Sequence, residues 1–400
     1  MQSTARASVP LRAGIVLGLL SVLGPVAIDL YLPAFPQIAE DLAASPGEVQ
    51  RTLSIFFFAL AAAQIPIGSL GDRAGRKVPL CIGLLVFVIA SLFCGIASSA
   101  DQLVLWRFVQ GAGACAGTAV ARAMIRDQYS GHEAARLMAL TFLVIGLSPV
   151  LAPLAGSLLL DLLSWRWLFA VMAGAGAIAL MLSVSLLPET LPPARRTPWS
   201  QPIWSAYRAL LGNWVFLGAA VIAGLATTVP FAFLTAAPFV YVEQFGLTPK
   251  AYSLLLAANA VVSIVATQFS PGLMRRWGAR RLLLRVAAVG VVLSVLLLVL
   301  IWAGWLQLAL FQCYSMALFA LVGLALTPAA ITAIDVGARH AGAAAGALGT
   351  LQLVVTGAVS WLISVLSTGS AAALATTLLG CLALAGLLAL MTLRGIKQAD

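Results

Sequence analysis

Asp29 and Arg107 lie inside long apolar stretches of the 400-residue sequence. Asp29 stands 11 residues before Glu40, roughly 16 Å along a helix, and Arg107 stands six residues after Asp101, about 9 Å along its own helix. A charge in hydrocarbon is costly, so such residues usually mark a binding site or a proton path. Both are therefore the first candidates for chemistry in this chain.

The surroundings of an intramembrane carboxyl decide whether it holds a proton. Burial disfavours the charged form and a nearby cation favours it, so a balanced site can take up a proton on one side and release it on the other. We expect Asp29 to bind a proton or a substrate, and Arg107 to tune its charge directly, through a neighbour on the first helix or through water. Alternatively, Asp29 is a fixed ion pair or a protonated, hydrogen-bonded acid, and Arg107 reaches for the membrane surface.

Few other polar side chains fall within the apolar stretches. Each of them is a candidate for lining an intramembrane cavity, although each is more often a packing residue. They are Tyr31, Gln64, Gln110, Asn259, Gln268, Gln312, Tyr314 and Gln352. Tyr31 and Gln110 join Asp29 and Arg107 as the predicted proton and substrate site.

The composition predicts a polytopic membrane protein. Hydrophobic residues make up 62% and charged residues 9% of the chain, against about 45–50% and 25% in ordinary soluble domains. The apolar runs are long and continuous, unlike the alternating strands of an outer-membrane barrel. The net charge of +10 does not indicate nucleic-acid binding, because the basic residues separate apolar spans instead of clustering on one face.

The sequence lacks the residues that a metalloprotein, an intramembrane enzyme or an ATP-driven pump needs. The five cysteines lie in apolar stretches without metal-ligand spacing, and His132 and His340, the only histidines, fall in predicted loops. We therefore expect no metal centre, no cofactor and no intramembrane enzyme. A nucleotide-binding G-x-x-x-x-G-K-[ST] motif is absent, which argues against an ATP-driven pump. Arg6 and Arg12 precede a long span without a cleavage site, so we expect no cleaved signal.

Twelve apolar spans of spanning length are predicted, six on each side of a polar linker. They lie near 11–37, 48–69, 78–99, 102–124, 136–160, 165–187, 213–240, 250–272, 281–303, 305–333, 339–366 and 370–393. The linker is 188–208, rich in proline and arginine, and separates a bundle at 1–187 from one at 209–400. With both termini in the cytoplasm, 18 of the 23 basic residues are cytoplasmic and three are outside. This asymmetry predicts the orientation.

The two halves also repeat a short motif. GSLGDRAGRK at 68–77 follows the second span, and PGLMRRWGARR at 271–281 follows the eighth. An internal repeat of six-helix bundles is typical of secondary transporters. The second copy has Arg275 or Arg276 where the first has Asp72, so only the first copy keeps the full motif.

These motifs resemble those of the major facilitator superfamily over essentially the whole chain. The 68–77 stretch is similar to the superfamily's loop between helices 2 and 3. RFVQGAGA at 107–114 and GLSPVLAPLAG at 146–156 resemble the drug-exporter and antiporter motifs of helices 4 and 5. With AIDLYLPAFPQI at 27–38 and VARAMIRD at 120–127, the chain looks like the bicyclomycin and chloramphenicol resistance (Bcr/CflA) type of drug:proton antiporter.

The resemblance implies roles for further residues. In the loop motif Asp72 and Arg76 would form a cytoplasmic latch with Asp127, and Asp72 would face the start of helix 11 near 338–345. The remaining implied gating positions of the loop and of helix 5 are Gly68, Arg73, Gly75, Gly146, Pro149, Pro153 and Gly156. The helix 5 run would seal against helix 8, or simply form a packed kink. The latch charges alternatively only hold the loop in the cytoplasm.

The expected fold is an all-α membrane protein with twelve helices in two pseudo-symmetric bundles. The expected function is export of small amphipathic compounds, amphenicols or bicyclomycin among them, in exchange for protons across a bacterial inner membrane. The alternative is an exporter of an endogenous metabolite, such as cysteine or a metallophore. The expected partners are substrate, protons and lipid, without nucleic acid, and the resemblance implies a monomer.

Overall fold

The computed structural model describes residues 11–129, 131–198, 204–336, 341–366 and 370–392. These residues form helices and connecting turns and contain no β-strand. The α-helices are α1 Leu11–Asp29, α2 Phe35–Asp41, α3 Pro46–Ala74, α4 Lys77–Gly95, α5 Ala100–Gln128, α6 Gly131–Leu160, α7 Arg166–Leu186, α8 Trp204–Leu211, α9 Trp214–Phe239, α10 Pro249–Trp277, α11 Ala279–Trp302, α12 Leu308–Val336, α13 Ala341–Leu366 and α14 Ala371–Thr392. Short 3₁₀ turns occupy Leu32–Ala34 and Pro193–Arg195, and a π turn occupies Val240–Gln244.

The helices match the predicted spans. Within the described ranges, eleven helices are long and apolar enough to cross a membrane, and Ile145–Leu160 of α6 forms a shorter apolar segment at the position of the fifth span. The all-helical fold is thus confirmed. The predicted linker boundary at 208 lies inside α8. His132 lies in α6 instead of a loop, because that helix begins at Gly131, and His340 lies outside the described residues.

The first predicted span is not one continuous helix. The α1 helix ends at Asp29, a 3₁₀ turn follows at Leu32–Ala34, and α2 then begins at Phe35. Pro33 explains the break, since a proline lacks the backbone donor and restricts the residue before it. Asp29 consequently occupies the last turn of α1, where the backbone changes direction.

The repeat seen in the sequence is visible in α3 and α10. Both helices have 29 residues, and their N-caps Ser45 and Thr248 stand 203 residues apart. Both end at a glycine with positive φ, Gly75 at 100° and Gly278 at 75°. Side chains rarely adopt this backbone conformation, so the glycine is needed at each turn. The two halves are therefore built on the same helical plan.

The bundle has two chemically different ends. The acidic end carries Glu40, Asp41, Glu48 and Asp101, and the basic end carries Arg73, Arg76, Arg275 and Arg276. The halves pack through α3 against α13 and through α6 against α10. At the acidic end, Gly47 lies against the carbonyl of Ser364, and the Phe35 and Phe239 ring centroids are 6.0 Å apart. The acidic end is closed in this conformation.

Candidate functional site

Arg107 is the largest fully buried side chain of the described residues. Helix α5 places its guanidinium between two aromatic rings, 4.3 Å from the centroid of Tyr31 and 4.2 Å from that of Phe56. Aromatic faces stabilise a desolvated cation by about 2 kcal/mol or more. The Nη1 group donates to the carbonyl of Ala27 at 3.1 Å and to Gln110 Oε1 at 2.5 Å. Arg107 is thus held rigidly without a carboxylate partner in the described part of the chain.

Two of the Arg107 nitrogens are not used. Nε and Nη2 are buried and find no hydrogen-bond acceptor among the described residues. A buried donor without an acceptor costs about 1–3 kcal/mol, and more when it is charged. The guanidinium therefore has free capacity for an oxygen acceptor.

Tyr31 and Gln110 serve Arg107 in this conformation. The Tyr31 hydroxyl shares a hydrogen bond of 3.1 Å with Thr52. Gln110 accepts from Arg107 and donates through Nε2 to Ser91 Oγ at 2.7 Å. Both side chains are fully buried, so neither lines an open cavity as the sequence predicts. They fix the orientation of the arginine.

Asp29 lies on a different side of α1 from this cluster. Residues two apart on a helix point about 200° from each other, so Asp29 faces away from Ala27 and its contact with Arg107. Asp29 is 2% exposed, and its Oδ2 accepts a 2.8 Å hydrogen bond from Ser148 of α6. Asp29 and Arg107 form no salt bridge among the described side chains. Arg107 contacts two neighbours of Asp29 in the chain, Ala27 and Tyr31, and a connection from Arg107 to the Asp29 carboxyl itself stays a prediction.

A second-half residue that was not among the predicted site residues lies near Asp29. Tyr252 of α10 is fully buried, lies within electrostatic range of Asp29 and Tyr241, and leaves its hydroxyl without a hydrogen-bond partner in the described ranges. The adjacent Ser253 donates to the carbonyl of Pro153 in α6 at 3.0 Å. No sequence motif marks these residues. Helix α10 thus brings second-half polar groups to the helices that hold Asp29.

The second half has a neutral polar cluster where the first half has the cluster around Arg107. Asn259 stands 203 residues after Phe56, the same offset that relates α10 to α3, so Asn259 is the counterpart of a ring that contacts Arg107. Its Oδ1 accepts from Gln312 at 2.9 Å and from Ser315 at 3.1 Å, and Tyr241 donates to Gln312 at 2.6 Å. The Asn259 Nδ2 has no partner among the described residues. Of these two clusters, only the one in the first half contains a charged side chain, Arg107.

The motif at 146–156, on α6, contacts two different neighbouring helices. A Cβ on Gly156 would collide with the backbone carbonyl of Leu30, so this glycine allows α6 to approach α1. Pro153 instead contacts α10, through Ser253. Pro149 is partly buried, and Gly146 has nothing within 4 Å of a Cβ. The predicted contact with the eighth span, which is α10 in the structure, thus involves Pro153, whereas Gly156 packs against Leu30 at the end of α1.

Replacing Gly156 with alanine is expected to destabilise the protein by about 1–3 kcal/mol, because the new methyl group overpacks against backbone that cannot rotate away. The midpoint of thermal unfolding in detergent measures this effect. The matched control is Gly146→Ala, which adds the same methyl group to the same helix where space is open. It is expected to unfold at or above the wild-type temperature. Equal midpoints for Gly156→Ala and wild type would contradict the assigned packing.

The predicted charge cluster of the loop motif is present at the basic end. Arg76 Nη1 lies 2.6 Å from Asp72 Oδ1, and its Nε lies 2.8 Å from Asp127 Oδ2. Burial lowers the pKa of Arg76, but the hydrogen bonds to Asp127 and Asp72 outweigh it, so the pKa is raised overall. Thr190 also donates to Asp127 at 3.2 Å. All these groups belong to the first half or to the segment that follows it.

The small residues of the motif make room for this cluster. A Cβ on Gly71 would lie 3.2 Å from the Arg76 guanidinium, whereas Gly68 faces open space. Arg73 is partly buried one residue beyond Asp72. The carboxylate-bearing side chain of Asp72 is 53% exposed. Residues 338–340 of the predicted partner segment of Asp72 lie outside the described residues, so that contact stays a prediction.

Glu189, which no motif indicated, caps the start of α4. Its carboxylate accepts the backbone N–H groups of Arg76 at 2.8 Å, Leu191 at 2.9 Å and Lys77 at 3.1 Å. Partial burial raises the pKa of Glu189, but these hydrogen bonds and the charge of Arg196 outweigh it and the pKa is lowered. A carboxylate at a helix N-terminus is also favoured by the helix dipole. Glu189 thus joins the end of the first half to the loop motif.

Glu189→Gln is expected to lower stability at pH 7 by about 0.5–2 kcal/mol, the cost of losing a helix cap. A carboxyl with a lowered folded-state pKa stabilises the fold fully above its unfolded value of 4.5, and this contribution disappears as the pH falls through the folded value. The wild-type advantage in thermal midpoint should therefore shrink below about pH 4.5. Asp161→Asn, at an exposed acid of the opposite end, should change nothing. An advantage that persists unchanged at pH 3.5 would refute the cap.

Comparison with known proteins places the chain in a family. The model of the Major Facilitator Superfamily matches residues 17–360. The uncharacterized MFS-type transporter YdgK of Bacillus subtilis (strain 168) is 32% identical over 389 residues, covering 94% of this chain and 95% of that protein. The multidrug resistance protein MdtL of Salmonella heidelberg (strain SL476) is 31% identical and covers 90% of each chain.

Solved structures share the fold at low sequence identity. A bacterial homolog of the human lysosomal transporter Spinster, in an inward-facing and occupied conformation, has a TM-score of 0.76 at 16% identity, with 98% of each chain covered. A D-xylose–proton symporter has a TM-score of 0.75 at 15% identity, with 98% of each chain covered. The protein is a multi-pass membrane transporter and not an enzyme. The chain belongs to the major facilitator superfamily.

Proposed function

We propose that this transporter exports small amphipathic compounds in exchange for protons, as a drug antiporter of the Bcr/CflA type in a bacterial inner membrane. The observation that carries the proposal is the burial of Asp29, which is 2% exposed, accepts a hydrogen bond from a hydroxyl group and has no ion-pair partner among the described residues. Burial disfavours the charged form of such a carboxyl and favours the protonated form. Its charge can therefore change during a transport cycle.

Proton uptake at Asp29 would act on both halves of the molecule. Asp29 ends α1, accepts from Ser148 of α6, and lies within electrostatic range of Tyr252 of α10. A carboxylate attracts both hydroxyl groups, whereas a protonated acid becomes a donor itself. The proton would thereby alter the contact between α1, α6 and α10, which belongs to the closed acidic end. Rocking of the halves about this region gives alternating access.

The buried Arg107 supports an amphipathic substrate. Aromatic rings surround its guanidinium, and two of its nitrogens lack an acceptor in the described part of the chain. A largely apolar molecule with an oxygen acceptor would satisfy both features. The neutral cluster around Asn259 offers a further unpaired donor in the second half.

The similarity to MdtL, which is named a multidrug resistance protein, favours drugs as the exported compounds. The alternative, export of an amino acid such as cysteine or of a metallophore, has the same fold and the same coupling. We propose further that the basic end faces the cytoplasm, as the positive-inside rule predicts. Asp72, Arg76 and Asp127 would then form the cytoplasmic latch. The transporter would need no cofactor and would use the proton gradient as its energy source.

Transport into inverted membrane vesicles tests this function. Vesicles containing the protein are given an acid interior and a panel of lipophilic antibiotics that includes amphenicols. Accumulation that requires the gradient and stops with an uncoupler supports proton-driven drug export. Accumulation that survives the uncoupler would contradict proton coupling. Failure of every drug, with gradient-driven accumulation of cysteine or a metallophore, would replace drug export by metabolite export.

A further inference from the structure

A groove of about 900 Å³ lies along the basic half of α10, away from the site described above. Its described lining is apolar except at one end. The apolar lining runs along α10 from Val261 past Val265 and Phe269 and includes Leu324 of α12, and the charged end is formed by Arg275 and Arg276. A Cβ on Gly272 would meet nothing within 4 Å, so the space along the helix is open there.

The groove faces the lipid and not the other half of the transporter. Ser253 of the same helix contacts Pro153 of the first half. Phe269 stands 16 residues later, which places it about 160° around the helix from Ser253. Phe269 is 63% exposed and Val265 is 52% exposed. An apolar recess on this side of α10 is therefore open to the hydrocarbon of the bilayer.

The charged end of the groove lies at the membrane surface. Arg275 and Arg276 occupy the last turn of α10, and both are exposed. Neither has an ion-pair or hydrogen-bond partner among the described residues. Two unpaired guanidinium groups beside each other attract phosphate, which arginine binds with parallel hydrogen bonds.

The length of the groove matches one leaflet. Val261 and Arg275 are 14 residues apart, or about 21 Å along the helix. Half of a bilayer that is about 40–45 Å thick with its headgroup regions is roughly 20–22 Å. An acyl chain lying against Val261, Val265 and Phe269 thus brings a phosphate headgroup level with the arginines.

We propose that this groove, defined by α10 from Val261 to Arg276 and by Leu324, binds an anionic phospholipid of the leaflet at the basic end. The acyl chain fills the apolar recess and the phosphate binds Arg275 and Arg276. Charge complementarity and the single-leaflet length select this occupant over a zwitterionic lipid or a transported drug. Basic pockets beside transmembrane helices recognise anionic headgroups in this way.

Lipid binding to the purified full-length protein tests the proposal. Native mass spectrometry measures retention of phosphatidylglycerol and of phosphatidylcholine with identical acyl chains. Wild type is expected to prefer phosphatidylglycerol about tenfold, and R275Q/R276Q is expected to lose that preference. The matched control is R280Q/R281Q, which removes two arginines from the start of α11 that do not line the groove. It should keep the preference within about twofold.

A second variant separates the groove from its charges. V265W fills the recess from an exposed position and leaves both arginines in place, so it should lower retention of phosphatidylglycerol. Thermal unfolding checks that each variant is folded. Equal loss of preference in R275Q/R276Q and R280Q/R281Q would overturn the site in favour of general surface charge. Unchanged retention in V265W, or tighter binding of a drug than of phosphatidylglycerol at this groove, would overturn it as well.

Discussion

Asp29→Asn is expected to reduce gradient-driven substrate accumulation in inverted vesicles at least about tenfold, to the level seen without a gradient. The asparagine amide keeps the size of the carboxyl and an oxygen that accepts from Ser148, but it cannot take up a proton. Binding and downhill movement of substrate should persist. The variant thus separates energy coupling from folding, since the buried hydrogen bond is retained.

The control for this variant is Asp161→Asn, at an exposed acid of the acidic end, which should transport like wild type. Asp29→Glu keeps a titratable group and should retain part of the coupling, shifted in pH dependence because the longer side chain sits differently against Ser148. Full gradient-driven accumulation by Asp29→Asn would place the proton site elsewhere and remove the basis of the proposed function.

Arg107→Lys is expected to lower transport at least about tenfold, although it preserves the charge. A lysine ammonium cannot lie flat between the rings of Tyr31 and Phe56, nor donate to both the Ala27 carbonyl and Gln110 as the guanidinium does. Unsatisfied acceptors also cost about 1–3 kcal/mol each. Initial rates at several substrate concentrations and pH values measure the effect.

A purely structural role for Arg107 would lower the amount of folded protein without changing KM or the pH profile of the remainder. A role in binding or coupling should raise KM or shift that profile. The matched control is Arg166→Lys, since Arg166 is partly exposed and pairs with Asp41 at the acidic end, where an ion pair is worth about 0–1 kcal/mol. Wild-type KM and pH profile in Arg107→Lys would reject a part for the guanidinium in transport.

The helices themselves follow from the sequence because hydrocarbon imposes their length and composition. Asp29 and Arg107 were also predictable as candidates, since charges within apolar spans are few and expensive. The grouping of Asp72, Arg76 and Asp127 was predicted only from the resemblance of the loop motif to that of the major facilitator superfamily. The end of the first helix at Asp29 was not predicted, although Pro33 indicates a break. A hydropathy pattern averages over a span and does not resolve where the backbone turns.

The direction in which each side chain points around its helix, and the helix that it contacts, depend on packing and could not be predicted. The sequence places Asp29 and Arg107 in the same half of the membrane, but it does not show that the Asp29 side chain points away from Arg107. That follows only from the contact of Arg107 with Ala27, two residues before Asp29. Gly156 was expected to face α10 and packs on Leu30 instead. Tyr252 and Glu189 act through contacts distant in sequence, and no motif identifies either one.

Proton release on substrate binding tests the central claim most directly. Purified protein in a weakly buffered detergent solution at neutral pH receives a transported drug, and an indicator dye records released protons. If drug binding is coupled to loss of the proton from Asp29, wild type releases protons in proportion to the bound drug, and Asp29→Asn binds the drug without releasing any. Equal release from both proteins, or no release from wild type that binds the drug, would contradict the account.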